Sequence, residues 1–470
     1  MLDKYIEQSK QEIIHKTQTL IQIPSIYEKS DNPYEPFGKN INKALNYMLS
    51  LGKELGFRTK NVDGYCGYIE FGEGKDLIGI IGHLDVVPEG ENWIYPAFSG
   101  TIFDNKIYGR GAIDDKGPVI ASLYAMKAIM DTCEIKKRVR LILGLNEENN
   151  WKCIEHYKQN EEHPTVGFSP DADFPCIYAE KGILTCYLLM DYSNFMNQDI
   201  IIKEFNSYNN AINVVPKICS TILQINPSKI LMSDFIEKIK NLISKFNFEI
   251  DIYKINEQSI KLTSHGIQAH SAHPDLGINA ISRLLILLDS ILKKYSISID
   301  LLDFFSKKIH TQYDGKNLGI DFKDESGNLT LNVSDLKLEN KFIKIGMNLR
   351  IPVTIPIIDI GNAFLKQTSS YINVDFQTKE YKEPIYISKD NNLVKTLCKI
   401  YNETTHSQEE PIAIGGATYA RAFDNCISFG PNLPGQKDMC HQTDEFISID
   451  NLILASKIYA KAIYELGTNY

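Results

Sequence analysis

The sequence lacks the long apolar stretch that a membrane-spanning helix requires. Such a helix needs about 20 consecutive apolar residues, and the nearest approach here, residues 77–88, is interrupted by His83 and Asp85. The first ten residues contain no apolar segment of the kind that secretion signals carry. We therefore expect a cytoplasmic protein that has no membrane partner.

Paired cysteines are also missing. The nine cysteines are odd in number, are scattered along the chain and form no Cys-x-x-Cys motif. Disulfide frameworks and zinc knuckles both depend on regular cysteine spacings. The cysteines are therefore expected to be buried thiols in a reducing compartment.

Positive charge is in deficit, since 50 Lys and Arg stand against 59 Asp and Glu, for a formal net charge of −9. A nucleic-acid partner would require a basic face, so the charge balance argues against one. The apolar fraction of 43% and the charged fraction of 23% are typical of globular proteins and exclude disordered and collagen-like classes. A chain of 470 residues is long enough for two or three folding units.

Strand and helix patterns alternate through the first 180 residues. Apolar residues at helical spacing predict helices over 41–55 and 119–130, and short apolar runs predict buried strands over 77–82 and 139–145. Such alternation predicts an α/β fold with a mostly parallel central sheet covered by helices. In folds of this kind ligand sites form where strands end.

The pattern changes near residue 181. A helical pattern over 230–246 is followed by alternating segments over 329–333 and 343–355, which are typical of antiparallel strands. In the last segment Lys344, Asn348 and Arg350 share one parity, which predicts that they lie on an exposed face.

These changes of pattern predict an inserted domain. The pattern of a strand followed by a helix returns near residue 383 and continues to the end of the sequence. We predict an α+β lid domain with antiparallel strands over 181–381, and a catalytic domain formed by 1–180 and 382–470.

Five places put His, Asp or Glu in a turn or at the end of an apolar run. They are His83 with Asp85, Asp114 with Asp115, Glu147 with Glu148, Asp171, and His441. Taken alone, each has an ordinary structural explanation: a common His-x-Asp pair, a helix N-cap, a solvated loop, a turn after proline or a plain loop histidine. Taken together, they form a mixed imidazole–carboxylate set that suits two divalent ions about 3.5–4 Å apart.

In order along the chain, these motifs resemble the ArgE/DapE/carboxypeptidase G metallopeptidase family. The resemblance covers almost the whole chain and is greatest to the bacterial dipeptidases of the PepV/Sapep type. Four segments carry this closer likeness: residues 114–118, 147–153, 169–175 and 415–421.

The resemblance implies two divalent ions held by five side chains: His83 and Asp171 for one, Glu148 and His441 for the other, and Asp114 bridging both. Asp85 would orient His83. Glu147 would take a proton from the bridging water and pass it to the leaving amine. Zn²⁺ is the first expectation, and the donor set also accommodates Mn²⁺ and Co²⁺.

The resemblance also implies residues that bind the substrate. His270 would stabilise the oxyanion, and Arg350 and Asn213, with the backbone of Gly415 and Gly416, would hold the substrate carboxylate. Without the resemblance, Arg350 would be interpreted as a solvated surface charge and His270 as a capping or surface residue. With it, closure of the lid over the substrate is expected.

The function that follows is a dinuclear metal-dependent dipeptidase acting on unblocked dipeptides. An N-acyl amino-acid deacylase or a carboxypeptidase on the same scaffold is the alternative, because either would keep every metal ligand. A non-catalytic metal-dependent binding protein is a more distant alternative, and it would tolerate loss of Glu147. The expected partner is a small peptide, and we expect a monomer while leaving a dimer open.

Overall fold

The structure is a computed structural model that describes residues 1–208, 211–371 and 373–470. The chain divides into two compact units. The first consists of Met1–Tyr178, Tyr386–Ile412 and Ala417–Tyr470, and the second of Ala179–Ile385 and Ala413–Gly416. The catalytic and lid roles that the sequence suggests for such units stay predictions.

The first unit is built around a sheet whose four central strands are parallel. In spatial order these strands are Arg138–Gly144, Leu77–His83, Val166–Ser169 and Cys426–Ser428. The antiparallel strands Cys66–Phe71 and Arg58–Val62 extend the sheet beside the first of them. Both strands predicted from apolar runs are present and adjacent, and the predicted α/β class with a mostly parallel sheet is confirmed.

Seven helices are described in this unit: Leu2–Gln8, Lys10–Ile21, Lys39–Glu54, Lys116–Thr132, Lys152–Asn160, Asn392–Thr405 and Ile449–Thr468. Helix Lys39–Glu54 buries one face because its apolar residues recur at helical spacing. Helix Lys116–Thr132 is buried on nearly every side, since it packs against both the sheet and helix Ile449–Thr468.

Smaller pieces of sheet complete the first unit. Strands Thr101–Phe103, Lys106–Tyr108 and Phe446–Ser448 form an antiparallel sheet, and Ala172–Asp173 pairs with Pro431–Asn432. Three further strands lie where the chain passes between the units: Ile177–Glu180, Ile385–Tyr386 and Ile412–Ile414.

The second unit contains two four-stranded antiparallel sheets. One has the order Thr330–Glu339, Phe342–Ile351, Gly182–Asp191, Asp375–Lys382, and the other the order Ile200–Asn206, Ile218–Ile225, Ser259–His265, Ile250–Lys254. A short hairpin pairs Lys323–Asp324 with Gly327–Asn328. The helices described here are Met232–Phe246, Ala280–Lys293, Asp300–Lys308 and Ile357–Thr368. The predicted α+β character with antiparallel strands is confirmed.

The exposed face predicted for strand Phe342–Ile351 is wrong in its second half. Asn348 is only 1% exposed and Arg350 only 3%. The strand is paired on both sides, and Arg350 donates a hydrogen bond to the carbonyl of Gly415. In this half of the strand, the polar residues that alternate with apolar ones are therefore buried and do not face solvent. The strand ends at Ile351, short of the predicted residue 355, because Pro352 has no N–H to continue the pairing.

Two expectations from composition can be compared with the structure. All nine cysteines are free, and seven are buried, while Cys133 and Cys440 are half-buried. Within the described parts of the chain, no helix is long and apolar enough to cross a bilayer.

Candidate metal centre

The carboxyl ends of three neighbouring parallel strands deliver predicted site residues to one edge of the first unit's sheet. His83 ends its strand, Glu147 and Glu148 follow the strand that ends at Gly144, and Asp171 follows the strand that ends at Ser169. Parallel strands place their carboxyl ends together, so side chains far apart in sequence become neighbours.

Asp114 lies between the two histidines. Its Oδ1 is 3.0 Å from Nε2 of His83, and its Oδ2 is 3.1 Å from Nε2 of His441. Asp171 Oδ2 lies 3.5 Å from the same His83 atom, and Glu148 Oε1 lies 2.9 Å from the same His441 atom. The structure thus brings together all five predicted ligands, and one carboxylate is common to two groups.

These two groups fit divalent metal ions. One atom from each member lies within 4.8 Å of the others in the sets His83, Asp114, Asp171 and Asp114, Glu148, His441. Nδ1 of His83 must donate, because its partner is the carbonyl oxygen of Asp85 at 2.9 Å. The lone pair of Nε2 then faces carboxylates, and this buried atom makes no hydrogen bond within the described residues. Such an arrangement calls for a cation.

The acidic residues of the centre respond to their burial and mutual repulsion. Burial raises the pKa of Glu147 well above its ordinary value; His83 opposes this shift, and the neighbouring carboxylates add to it. Burial and the charge of Asp114 also raise the pKa values of Glu148 and Asp171. Buried carboxylates that repel each other bind protons more readily, and a divalent cation relieves the same repulsion.

The histidines and Asp114 shift in the opposite sense. Although burial opposes the change, the nearby imidazoles of His441 and His83 hold the pKa of Asp114 well below its ordinary value. The pKa values of His83 and His441 are raised well above their ordinary range. Burial opposes this shift, but the neighbouring carboxylates outweigh it.

Asp85 joins two loops of the site. Its carboxylate accepts the backbone N–H groups of Glu147 at 3.0 Å and Glu148 at 3.1 Å. The ring of His83 is held by the carbonyl oxygen of Asp85, whereas the Asp85 carboxylate is 3.5 Å from Nδ1. The side chain of Asp85 therefore positions the glutamate turn, and its main chain fixes the His83 ring.

Asp115 does not cap the helix that follows it. It occupies the N-cap position of helix Lys116–Thr132 without a side-chain capping hydrogen bond. Instead, its Oδ2 accepts the backbone N–H of His83 at 3.1 Å. The explanation of this Asp pair as a helix N-cap is thus unsupported. Asp115 connects the turn that carries Asp114 to the strand that carries His83.

A buried ion pair beside the centre was not predicted from the sequence. Nη1 of Arg110 lies 2.6 Å from Oε2 of Glu445, and Oε1 of Glu445 accepts the backbone N–H of Asp114 at 3.3 Å. Burial and the charge of Asp114 raise the pKa of Glu445 to about 7, although Arg110 opposes the shift. The sequence shows an arginine in a Gly-x-Gly turn and a glutamate four residues after His441. No sequence pattern indicates that these two residues meet.

Tyr419 is a third residue whose place at the site was not predicted. Its hydroxyl lies 2.8 Å from the Cys153 sulfur, and its ring packs edge-on to His83 with ring centroids 6.2 Å apart. A Cβ at Gly144 would lie 2.2 Å from this ring, so the strand that leads to the glutamate pair requires glycine there. Tyr419 thus closes the buried side of the metal centre.

The predicted substrate-binding residues belong to the second unit. Arg350 Nη1 donates to the carbonyl of Gly415 at 2.6 Å, and Gly416 follows Gly415 in the chain. A Cβ at Gly415 would lie 2.8 Å from the Cβ of Ala272, so this segment approaches the His270 loop closely.

The segments carrying Asn213 and His270 pair with each other. Ser271 donates its N–H to the carbonyl of Asn213 at 2.8 Å, and Val214 forms an antiparallel bridge with His270. Asn332 braces the pair by donating to the Val214 carbonyl at 2.9 Å and to the Ser271 hydroxyl at 2.8 Å. Within the second unit, the structure therefore brings Asn213 and His270 together.

Comparison with known proteins gives a family and full-length relatives. The sequence model of Peptidase family M20/M25/M40 matches residues 79–465. "Putative dipeptidase YtjP" of Bacillus subtilis (strain 168) is 39% identical over 468 residues, which cover 97% of this chain and 98% of that protein. "Putative dipeptidase SH1171" of Staphylococcus haemolyticus (strain JCSC1435) is 34% identical over 478 residues, with 99% of both chains covered.

Solved structures resemble the fold. Human carnosine dipeptidase 1 gives a TM-score of 0.61 at 15% identity, covering 99% of this chain and 98% of that one. The di-peptidase Dug1p of Saccharomyces cerevisiae gives 0.60 at 12% identity, covering 100% and 98%. At these identities the likeness is one of fold alone.

Proposed function

The chain belongs to the peptidase family M20/M25/M40, and from this membership we propose that it is a dinuclear metal-dependent dipeptidase that hydrolyses unblocked dipeptides. The observation that carries the proposal is the position of Asp114, whose two oxygens each lie near a different histidine. The full-length relatives named as dipeptidases, at 39% and 34% identity, support the substrate class.

The proposed centre holds two divalent ions. His83 and Asp171 would hold one, Glu148 and His441 would hold the other, and Asp114 would serve both. When bound, such ions polarise a carbonyl and lower the pKa of water. Mixed imidazole and carboxylate donors suit Zn²⁺ first, and Mn²⁺ or Co²⁺ as well.

Glu147 is proposed as the general base. It belongs to neither ligand group, and the Asp85 carboxylate fixes its backbone. Burial raises its pKa, so the carboxylate readily accepts a proton from the attacking water. The same proton then passes to the leaving amine, because a carboxyl group that has accepted a proton as base can donate it as acid in the next step.

Arg350 is proposed to bind the substrate's C-terminal carboxylate. A planar guanidinium matches a carboxylate through two parallel hydrogen bonds, and burial of Arg350 strengthens such a contact. Asn213 and the backbone of Gly415 and Gly416 assist this binding. His270 is proposed to donate to the oxyanion that develops on the attacked carbonyl.

A substrate panel tests the proposal. Chelator-stripped protein is incubated with unblocked dipeptides, their C-terminal amides, N-acetyl amino acids and longer peptides, before and after addition of Zn²⁺ or Mn²⁺. We expect metal-dependent cleavage of the unblocked dipeptides and little cleavage of the amides. Cleavage restricted to N-acetyl amino acids would instead identify a deacylase, and stepwise C-terminal trimming of longer peptides a carboxypeptidase. Metal binding without any turnover would identify a binding protein.

A further inference from the structure

Glu445 receives hydrogen bonds from two sides. Its Oε1 accepts the backbone N–H groups of Ile113 at 3.0 Å and Asp114 at 3.3 Å, and its Oε2 accepts Nη1 of Arg110 at 2.6 Å. The side chains of Glu445 and Arg110 are 0% and 3% exposed. The backbone of the bridging residue is thus held by a buried carboxylate that belongs to neither ligand group.

Arg110 contacts the segments that carry two other ligands. It donates to the carbonyl of Gln442 at 3.2 Å, one residue after His441. It also donates to the carbonyl of Glu89 at 3.3 Å, in the loop that follows the His83 strand. A guanidinium presents its N–H groups in a rigid planar fork, so one side chain fixes the spacing of these segments.

Strand register explains how residues 335 positions apart meet. Strand Lys106–Tyr108 pairs antiparallel with Phe446–Ser448, with Tyr108 opposite Phe446. Gly109 then donates its N–H to the carbonyl of Glu445 at 2.9 Å. The turn that follows strand Lys106–Tyr108 therefore lies beside Glu445, the residue just before strand Phe446–Ser448.

We propose that Glu445, braced by Arg110, is a positioning residue that fixes the bridging carboxylate of Asp114 and thereby sets the affinity of the centre for its divalent ions. The inference rests on the proposed metal-dependent function. A bridging carboxylate must satisfy two ions at once, so a small rotation of its backbone weakens both contacts. Loss of partners that orient metal ligands typically costs about 10- to 100-fold in metal affinity.

Glu445→Gln tests the inference. The glutamine keeps the size of the side chain and an oxygen for the two backbone N–H groups, but its amide presents N–H donors to the donors of Arg110. The apparent affinities of the full-length variant for Zn²⁺ and Mn²⁺ are measured by competition with a chelator. We expect both affinities to fall about 10- to 100-fold.

Glu70→Gln is the matched control. Glu70 is buried in the same unit, accepts a hydrogen bond from Nε of Arg140 at 2.6 Å and forms an ion pair with Nη2 of that side chain at 2.6 Å. It belongs to neither ligand group. The control is expected to lose thermal stability as Glu445→Gln does while keeping wild-type metal affinity.

Each outcome decides a specific point. Wild-type affinity in Glu445→Gln, or equal loss in both variants, overturns the positioning role. Should Glu445→Gln fail to fold, Arg110→Lys is measured in its place, since it keeps the positive charge and removes the planar guanidinium. Wild-type metal affinity in Arg110→Lys would overturn the inference equally. A wild-type protein that binds metal but cleaves no dipeptide rejects the proposed function alone. A wild-type protein that binds no metal rejects both.

Discussion

At the residue scale, two adjacent glutamates have different surroundings. Glu148 Oε1 lies 2.9 Å from His441 Nε2 and joins a ligand group, whereas Glu147 joins neither group. Both backbones are fixed by the carboxylate of Asp85. One turn therefore supplies a proposed metal ligand and a carboxylate outside both ligand groups. Substitutions of the two side chains are expected to have different effects.

Replacement of Glu147 by Gln is expected to lower kcat by about 10²- to 10⁴-fold, the usual contribution of a general base. Metal content should stay at the wild-type level, because Glu147 belongs to neither candidate ligand group. Glu148→Gln, the paired control, should lose bound metal as well as activity. Steady-state kinetics on a dipeptide and elemental analysis check both. A Glu147→Gln variant with near wild-type turnover would contradict the assignment.

Arg350→Lys is expected to lower kcat/KM for unblocked dipeptides about 10- to 100-fold. Hydrogen bonds to charged groups contribute about 1.5–3 kcal/mol, and lysine cannot form the bidentate pair. Amidated dipeptides should be affected much less. Arg283→Lys, which also removes a guanidinium that donates to a backbone carbonyl in the same unit, should leave activity unchanged. Equal losses on free and amidated substrates would rule out the carboxylate clamp.

At the element scale, the loop that carries His270 depends on one close approach. Gly266 follows strand Ser259–His265 directly, and a Cβ there would lie 1.9 Å from the carbonyl oxygen of Ile278. Ile267 and Ile278 exchange backbone hydrogen bonds just beyond that point. The loop therefore closes on itself only because residue 266 has no side chain.

Gly266→Ala is expected to destabilise the protein by about 1–3 kcal/mol, since the added methyl group forces the two backbone segments apart. Gly361→Ala is the control, because Gly361 lies within helix Ile357–Thr368 with no atom near its Cβ position. That substitution should stabilise by about 0.5–1 kcal/mol. Denaturant unfolding measures both, and a harmless Gly266→Ala would show that the loop tolerates a side chain.

Elements with a strong pattern were predictable, and contacts distant in sequence were not. Apolar runs predicted the two strands now seen at Leu77–His83 and Arg138–Gly144. The polar parity of Arg350 predicted exposure, but its burial depends on a carbonyl 65 residues away. Glu445 went unnoticed because its role comes from strand pairing with a segment far earlier in the chain. Local periodicity carries no information about such partners.

At the scale of the whole molecule, the metal centre exists only in the folded chain. Its five predicted ligands come from five stretches of sequence, and 293 positions separate Glu148 from His441. An unfolded chain cannot hold them together, so an ion bound by these side chains would favour the folded state. Metal binding and stability are therefore linked.

Removal of metal is expected to lower the unfolding temperature. A ligand that binds only the folded state stabilises it by about 2.7 kcal/mol at 100 times its Kd, and relief of carboxylate repulsion has the same sign. Thermal unfolding is followed in chelator and at increasing Zn²⁺ or Mn²⁺, with Ca²⁺ as a poorly matched cation. An unfolding temperature independent of Zn²⁺ and Mn²⁺ would contradict a centre built from these ligands.

The most direct test of a dinuclear dipeptidase is activity as a function of metal equivalents. Stripped protein is titrated with Zn²⁺ or Mn²⁺, and both bound metal and hydrolysis of an unblocked dipeptide are measured at each point. We predict two ions per chain and full activity only when the second has bound, because Asp114 would serve both positions. Full activity at one equivalent, or dipeptide hydrolysis by metal-free protein, would contradict it.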